Sequence, residues 1–378
     1  MTSHRSTPKM SHRQGVAATV TLLVLSILFE STGAVLSKSV VQESYVLNKC
    51  WEQKITPDLD VSPVTDSSTV YFLDSENKLQ AFELSAGTKV WSSELGGEVV
   101  SNLLAAGDSL FVVTSSQGGP VAAGTGTLRS VSRKTGITEW RTEVSGSPIV
   151  WIGMVADNVV AVGSEGGITA LSPVNGHQRW KADLSAAVVS WPDFGAGDIA
   201  LGTSGNDVVR ISGSDGSTHI EWRSEYLPTA ILHDADGRLV VGDERGNVAL
   251  VSSRGDRLWR FKNGARISSA LMNGSEYLAA SNDNFVYKLS RYGDVKWKRR
   301  LPGRVVDRPL ILGNAAVISI VGEGSVYVLD LKSGKVLNRI ELGKEISLRL
   351  ASDAKGRGLV IGSADGIHYF SSETCEAK

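Results

Sequence analysis

The chain has 378 residues, with 39 Lys and Arg against 40 Asp and Glu. A formal charge of −1 argues against a general nucleic-acid binder, which needs a clustered positive surface to gain from counterion release. Forty glycines suit a chain of many tight turns. A length that ordinarily suggests two or more domains fits a single one if the chain is a circular array of repeats.

In chain order, His4, Arg5, Lys9, His12 and Arg13 come first. They precede an apolar run from Val16 to Phe29, broken by Glu30 and followed by Thr32-Gly33-Ala34. This is the layout of a secretory signal peptide over residues 1–34, cleaved after Ala34, with 35–44 as a short linker. The run is short for a bilayer span, although an uncleaved leader would still anchor the chain. The expected location is the periplasm or the exterior. Lys49 stands before Cys50 where a lipid-attachment site would need a small residue.

From there tryptophan recurs about every forty residues, at Trp51, Trp91, Trp140, Trp180, Trp222, Trp259 and Trp297. Each copy reads as an apolar strand, a turn, a second apolar strand, a short third strand, a Gly turn and a fourth strand carrying the Trp. Four short strands per repeat predict the blade of a β-propeller. Gly87, Gly136, Gly176, Gly255 and Gly293 lie four residues before their tryptophans, where a tight hairpin needs positive φ. Gly334 marks a further copy with Asn338 in the tryptophan place, which makes eight registers.

The first register has a fourth strand but no first three, and the last has strands at 359–363 and 367–370 before the chain stops. The two fragments complete each other if the strand around Trp51 is the outer strand of the last blade. The prediction is therefore an all-β, eight-bladed propeller over 45–375, closed by its N-terminal strand, with 376–378 as a tail. The same alignment sets Cys375 beside Cys50, so a disulfide would staple the ring; two separate buried thiols are the alternative. A ring complete in one chain is expected to be a monomer.

The segment Val326-Tyr327-Val328-Leu329-Asp330-Leu331-Lys332-Ser333-Gly334-Lys335 and the run from Arg133 to Trp140 resemble the PQQ-like repeats of eight-bladed propellers. The resemblance covers essentially the whole chain after the leader and is nearest in layout to the BamB-like family. It implies an exported, non-enzymatic scaffold that helps assemble outer-membrane proteins, with the register tryptophans docked between neighbouring blades. Members are typically lipoproteins, a feature this sequence lacks. Quinoprotein dehydrogenases share the repeat but carry long insertions and an adjacent-cysteine disulfide, so no cofactor is expected, PQQ included.

Catalytic and metal motifs are sparse. There is no Gly-x-Ser-x-Gly elbow, P-loop or Cys-x-x-Cys, and Asp234-Ala235-Asp236-Gly237 reads as a turn because Arg245 stands where a calcium loop needs Glu. Recognition is expected on the face formed by loops entering strand one and joining strands two and three, including an enlarged loop at 115–127. Eleven residues past the register tryptophans come Ser62, Asn102, Trp151, Trp191, Ala270 and Arg308, and less securely His233 and Arg349. Trp151 and Trp191, with Arg308 across from them, form the candidate site at the channel mouth. They would suit an extended peptide, a sugar or an anionic ligand, or else simply fill the channel or a seam. Arg266 and Arg304, seven past their tryptophans, are set against Asp58 and Glu98 elsewhere, so the face is expected to be electrically polarised. The expected partner is protein, from outer-membrane assembly machinery or as an extended peptide. A quinone-dependent or sugar-active enzyme and a ligand sensor are the alternatives.

Overall fold

The computed structural model describes residues 45–115, 125–305, 308–343 and 348–375. The expected leader, linker, tail and most of the 115–127 loop lie outside them. The described residues form eight four-stranded antiparallel sheets arranged as a propeller. Seven are local meanders, such as the third blade, with strands Val150–Val155, Asn158–Gly163, Gly167–Leu171 and Gln178–Asp183. The middle strands are apolar along their length because each blade is covered on both faces, and Asn158–Gly163 is buried throughout. The outer strand alternates, as a half-solvated edge must.

The eighth blade draws on both ends of the chain. Arg349–Ser352, Gly358–Ser363 and Gly366–Ser371 supply its inner strands, and Asn48–Gln53 is the outer one, with Asn48 opposite Ser371 and Gln53 opposite Ile367. Cys50 and Cys375 are joined, their Cα atoms 5.3 Å apart. The closing segment is also tied to the seventh blade: the Tyr45 hydroxyl donates to the Leu312 carbonyl and the Asn338 amide donates to the Tyr45 carbonyl. Asn338 thus performs in the tryptophan register a junction made for the N-terminal segment.

Tryptophan and glycine form one repeated lock. The Trp51 ring lies against Gly87, Trp91 against Gly136, Trp140 against Gly176, Trp180 against Gly216, Trp259 against Gly293 and Trp297 against Gly334. Each indole N–H donates to a carbonyl just ahead of that glycine, for example Trp91 to Arg133 at 2.9 Å and Trp180 to Gly213 at 2.9 Å. The glycine has positive φ, +74° at Gly136, and its missing side chain is the space the ring occupies.

Trp222 departs from the expected docking. It lies six residues after Gly216, so the register position of the fourth blade is Ile220. The outer-strand bulge, which falls between Gln178 and Trp180 in the third blade, falls between Ile220 and Trp222 here. Moving it turns Glu221 inward, and Gly255 meets the Glu221 backbone instead of a ring. The seam between the fourth and fifth blades therefore lacks the lock.

Candidate functional site at the channel mouth

The register of the innermost strands locates one ring of positions. Trp151 stands opposite Val162, Arg349 opposite Gly362, Ala230 opposite Gly242 and Ser269 opposite Ala280. The neighbouring pairings place Ser62, Asn102, Trp191 and Arg308 at the same level. His233 and Ala270, expected there, lie three and one residues further along. Trp222 is two past register, and the approach to the inner strand is one residue shorter in the fifth and sixth blades.

At this level the two irregular tryptophans meet edge to face, with centroids 6.1 Å apart. Trp151, 9% exposed, packs with Trp180, Leu184, Val188 and Ile199 in the seam between the third and fourth blades. Trp191 rests on it and is 44% exposed. The Arg308 guanidinium, from the seventh blade, lies over the Trp191 ring at 5.6 Å. A cation over a half-exposed indole face is worth about 0.5–1 kcal/mol. Asn102 joins the second and third blades by accepting from the Ile152 amide and donating to the Ile152 carbonyl, and Arg349 donates to the Leu59 carbonyl.

The blade entries form a rim above this ring. Thr56, Glu98, Ala187, Arg266 and Arg304 accept the equivalent backbone bond from the end of their second strand, as do Ile149 and Leu227. Going round, the rim reads acidic at Glu98, apolar at Ile149, Ala187 and Leu227, then basic at Arg266 and Arg304, both exposed. Asp58, set against these arginines in the sequence, lies two residues past the equivalent position, which Thr56 occupies.

Beneath Trp191 a charged chain takes the place of the missing lock. His233 Nδ1 is 2.9 Å from the Asp193 carboxylate, and its Nε2 is 3.0 Å from Asp198. Asp198 also pairs with Arg210, which reaches Glu221 at 3.1 Å, and Glu221 meets His219 at 2.9 Å. Burial pushes the Asp193 carboxyl up, but the His233 imidazole and amide, with Arg308 nearby, hold it below its ordinary value. Arg210 also donates to the Gly237 carbonyl of the fifth blade. The sequence carried two signals for this seam: Arg210 interrupts the apolar run Val208-Val209-Arg210-Ile211, and tryptophan spacings of 42 and 37 flank Trp222.

A family profile described as outer membrane protein assembly factor BamB matches residues 24–186, 124–244 and 221–365. The chain belongs to the BamB family. The BamB of Yersinia pestis is 25% identical over 338 residues, 76% of this chain and 79% of its own. The BamB of Moranella endobia is 20% identical, covering 81% and 84%. Among solved structures, BamB from Moraxella catarrhalis superposes with a TM-score of 0.66 at 16% identity, covering 86% of this chain and all of that one. The C-terminal WD40 domain of Sif2 superposes at 0.72 with 11% identity, which shows the common propeller fold.

Within this BamB-family propeller no group of three or more His, Cys, Asp or Glu is placed to hold a metal, among the described residues. Asp234 closes a turn instead, its carboxylate accepting from the Asp236 and Arg238 amides and pairing with Arg238.

Proposed function

We propose that the chain is an exported, non-enzymatic scaffold of outer-membrane protein assembly that holds a protein partner on the entry-loop face. It acts without quinone or metal. Relatives named outer membrane protein assembly factors match along most of their length. The observation that carries the partner face is Trp191, a large ring half in solvent, braced from behind by Trp151 and overlaid by Arg308. An aromatic anchor beside a guanidinium, bordered by the apolar rim positions Ile149 and Leu227, is the composition of an interface centre. The polarity from Glu98 to Arg304 would orient the partner.

Trp191→Ala and Arg308→Ala remove the anchor while leaving the Trp151 seam in place. Affinity capture from the native envelope, read by mass spectrometry, should recover an assembly-barrel protein with the wild type and at least about tenfold less with either variant. Undiminished capture by both variants would remove the site, and capture of no envelope protein would remove the scaffold reading.

A further inference from the structure

Outer strands of adjacent blades carry equivalent exposed rows, and those of the fifth and sixth blades are the most basic. In the fifth blade, strand Arg257–Lys262 presents Leu258, Arg260 and Lys262; in the sixth, Val295–Arg300 presents Lys296, Lys298 and Arg300. Trp259, Phe261, Trp297 and Arg299, between them, are less exposed. The last member of the row is Lys262 or Arg300 here, but Glu94, Glu143, Asp183 and Glu341 in the first, second, third and seventh blades, and in the fourth it is Arg223, which pairs with Asp207. Residues 254–266 and 291–304 together hold eleven Lys and Arg against only Asp256 and Asp294, in a chain whose total is −1.

Arg299 donates to the Gly334 carbonyl, and Lys298 and Arg291 lie over the Phe285 and Tyr292 rings, but most of the others are not neutralised internally. Among the described residues, Lys262, Lys296, Arg300, Arg266 and Arg304 have no carboxylate at ion-pairing distance, and Arg260 has only Glu225 at 3.7 Å. Standing among them are apolar side chains in water: Tyr292, 67% exposed, with Leu258 and Val295.

We propose that this sector of the outer-strand surface, over the fifth and sixth blades, docks on an anionic lipid surface. Long cationic side chains alternate about 7 Å apart along each strand; Arg257 and Arg260 line a small cavity with Glu225 and Asp243, whereas Lys262, Lys296, Lys298 and Arg300 stand exposed. That arrangement suits headgroups that move laterally to meet it more than a rigid acidic partner. Leu258, Tyr292 and Val295 can enter the headgroup layer while the charges hold the surface, the combination found in interfacial binders.

The test is co-sedimentation of the exported protein with phosphatidylglycerol-containing or pure phosphatidylcholine vesicles, at low and high salt. A basic residue near an anionic surface gives about a fivefold gain in partition. Lys262→Glu with Arg300→Glu should therefore weaken binding to anionic vesicles by well over 25-fold, and Leu258→Ser with Tyr292→Ser should weaken it separately. Both pairs are exposed and leave every tryptophan lock intact, which circular dichroism would verify. Preference for anionic vesicles that salt and charge reversal abolish supports the proposal. Absence of vesicle binding, equal binding to both lipids, binding indifferent to the reversal, or retention only by polyglutamate would each overturn it.

Discussion

Replacing Gly136 with alanine tests the lock that holds neighbouring blades together. A Cβ at Gly136 would lie 2.6 Å from Trp91 Cε3 and 2.8 Å from Cδ2, and φ there is +74°. Gly107 is the control, with φ +56° and nothing within 4 Å of the added carbon. Gly107→Ala should cost only the left-handed backbone term, about 1 kcal/mol. Gly136→Ala adds overpacking of roughly 1–3 kcal/mol and loss of the Trp91 bond to the Arg133 carbonyl, about 1 kcal/mol, so about 3–5 kcal/mol in all. Urea unfolding at constant slope measures both. In a Trp91→Ala background the ring is gone, and Gly136→Ala should then cost no more than Gly107→Ala. Equal costs for the two glycines in the wild type, or a Gly136 cost unchanged without Trp91, would refute the lock.

Two further outcomes follow from the charged groups. Arg210→Ala leaves the buried Glu221 carboxylate with the exposed His219 alone and should destabilise by about 3 kcal/mol, whereas Arg210→Met with Glu221→Leu should recover most of it, read from urea midpoints. Burial raises the Asp66 carboxyl, but Arg133, with the Ser68 and Thr69 amides, outweighs it and holds the group at about 2 against 3.8. Its folded value is depressed, so its stabilisation is complete above pH 3.8 and fades as pH falls toward 2. Arg133→Ala should move the acid-unfolding midpoint upward, as followed by tryptophan fluorescence; an unmoved midpoint would separate Asp66 from acid stability.

The ring was readable because its determinants are periodic and local. Glycine, two apolar runs and tryptophan recur in each copy, and the cysteines marked where the unpaired ends meet. Trp151, Trp191 and Arg308 were found by counting along the chain, which works while the approach to the inner strand keeps its length. It failed at His233 and Ala270, where that length changes. Trp222 misled because one displaced bulge exchanges which side chains face inward, and a bulge has no fixed residue signature. The Asp193–His233–Asp198–Arg210–Glu221 chain was hidden because its members are scattered between residues 193 and 233 and meet only once two blades have packed.

The strand Asn48–Gln53 leaves the ribosome among the earliest parts of the fold, yet its partner, Gly366–Ser371, arrives more than 300 residues later. Each intervening blade can form as soon as its own forty residues are available, a low-contact-order process, but closure is a long-range search. Until then the chain is an open arc with two unpaired sheet edges, the feature that invites association between unfinished molecules. Closure is therefore all or none: a product cut short anywhere before Gly366 leaves the strand Asn48–Gln53 unpartnered, so the ring exists only once its last strand has been made.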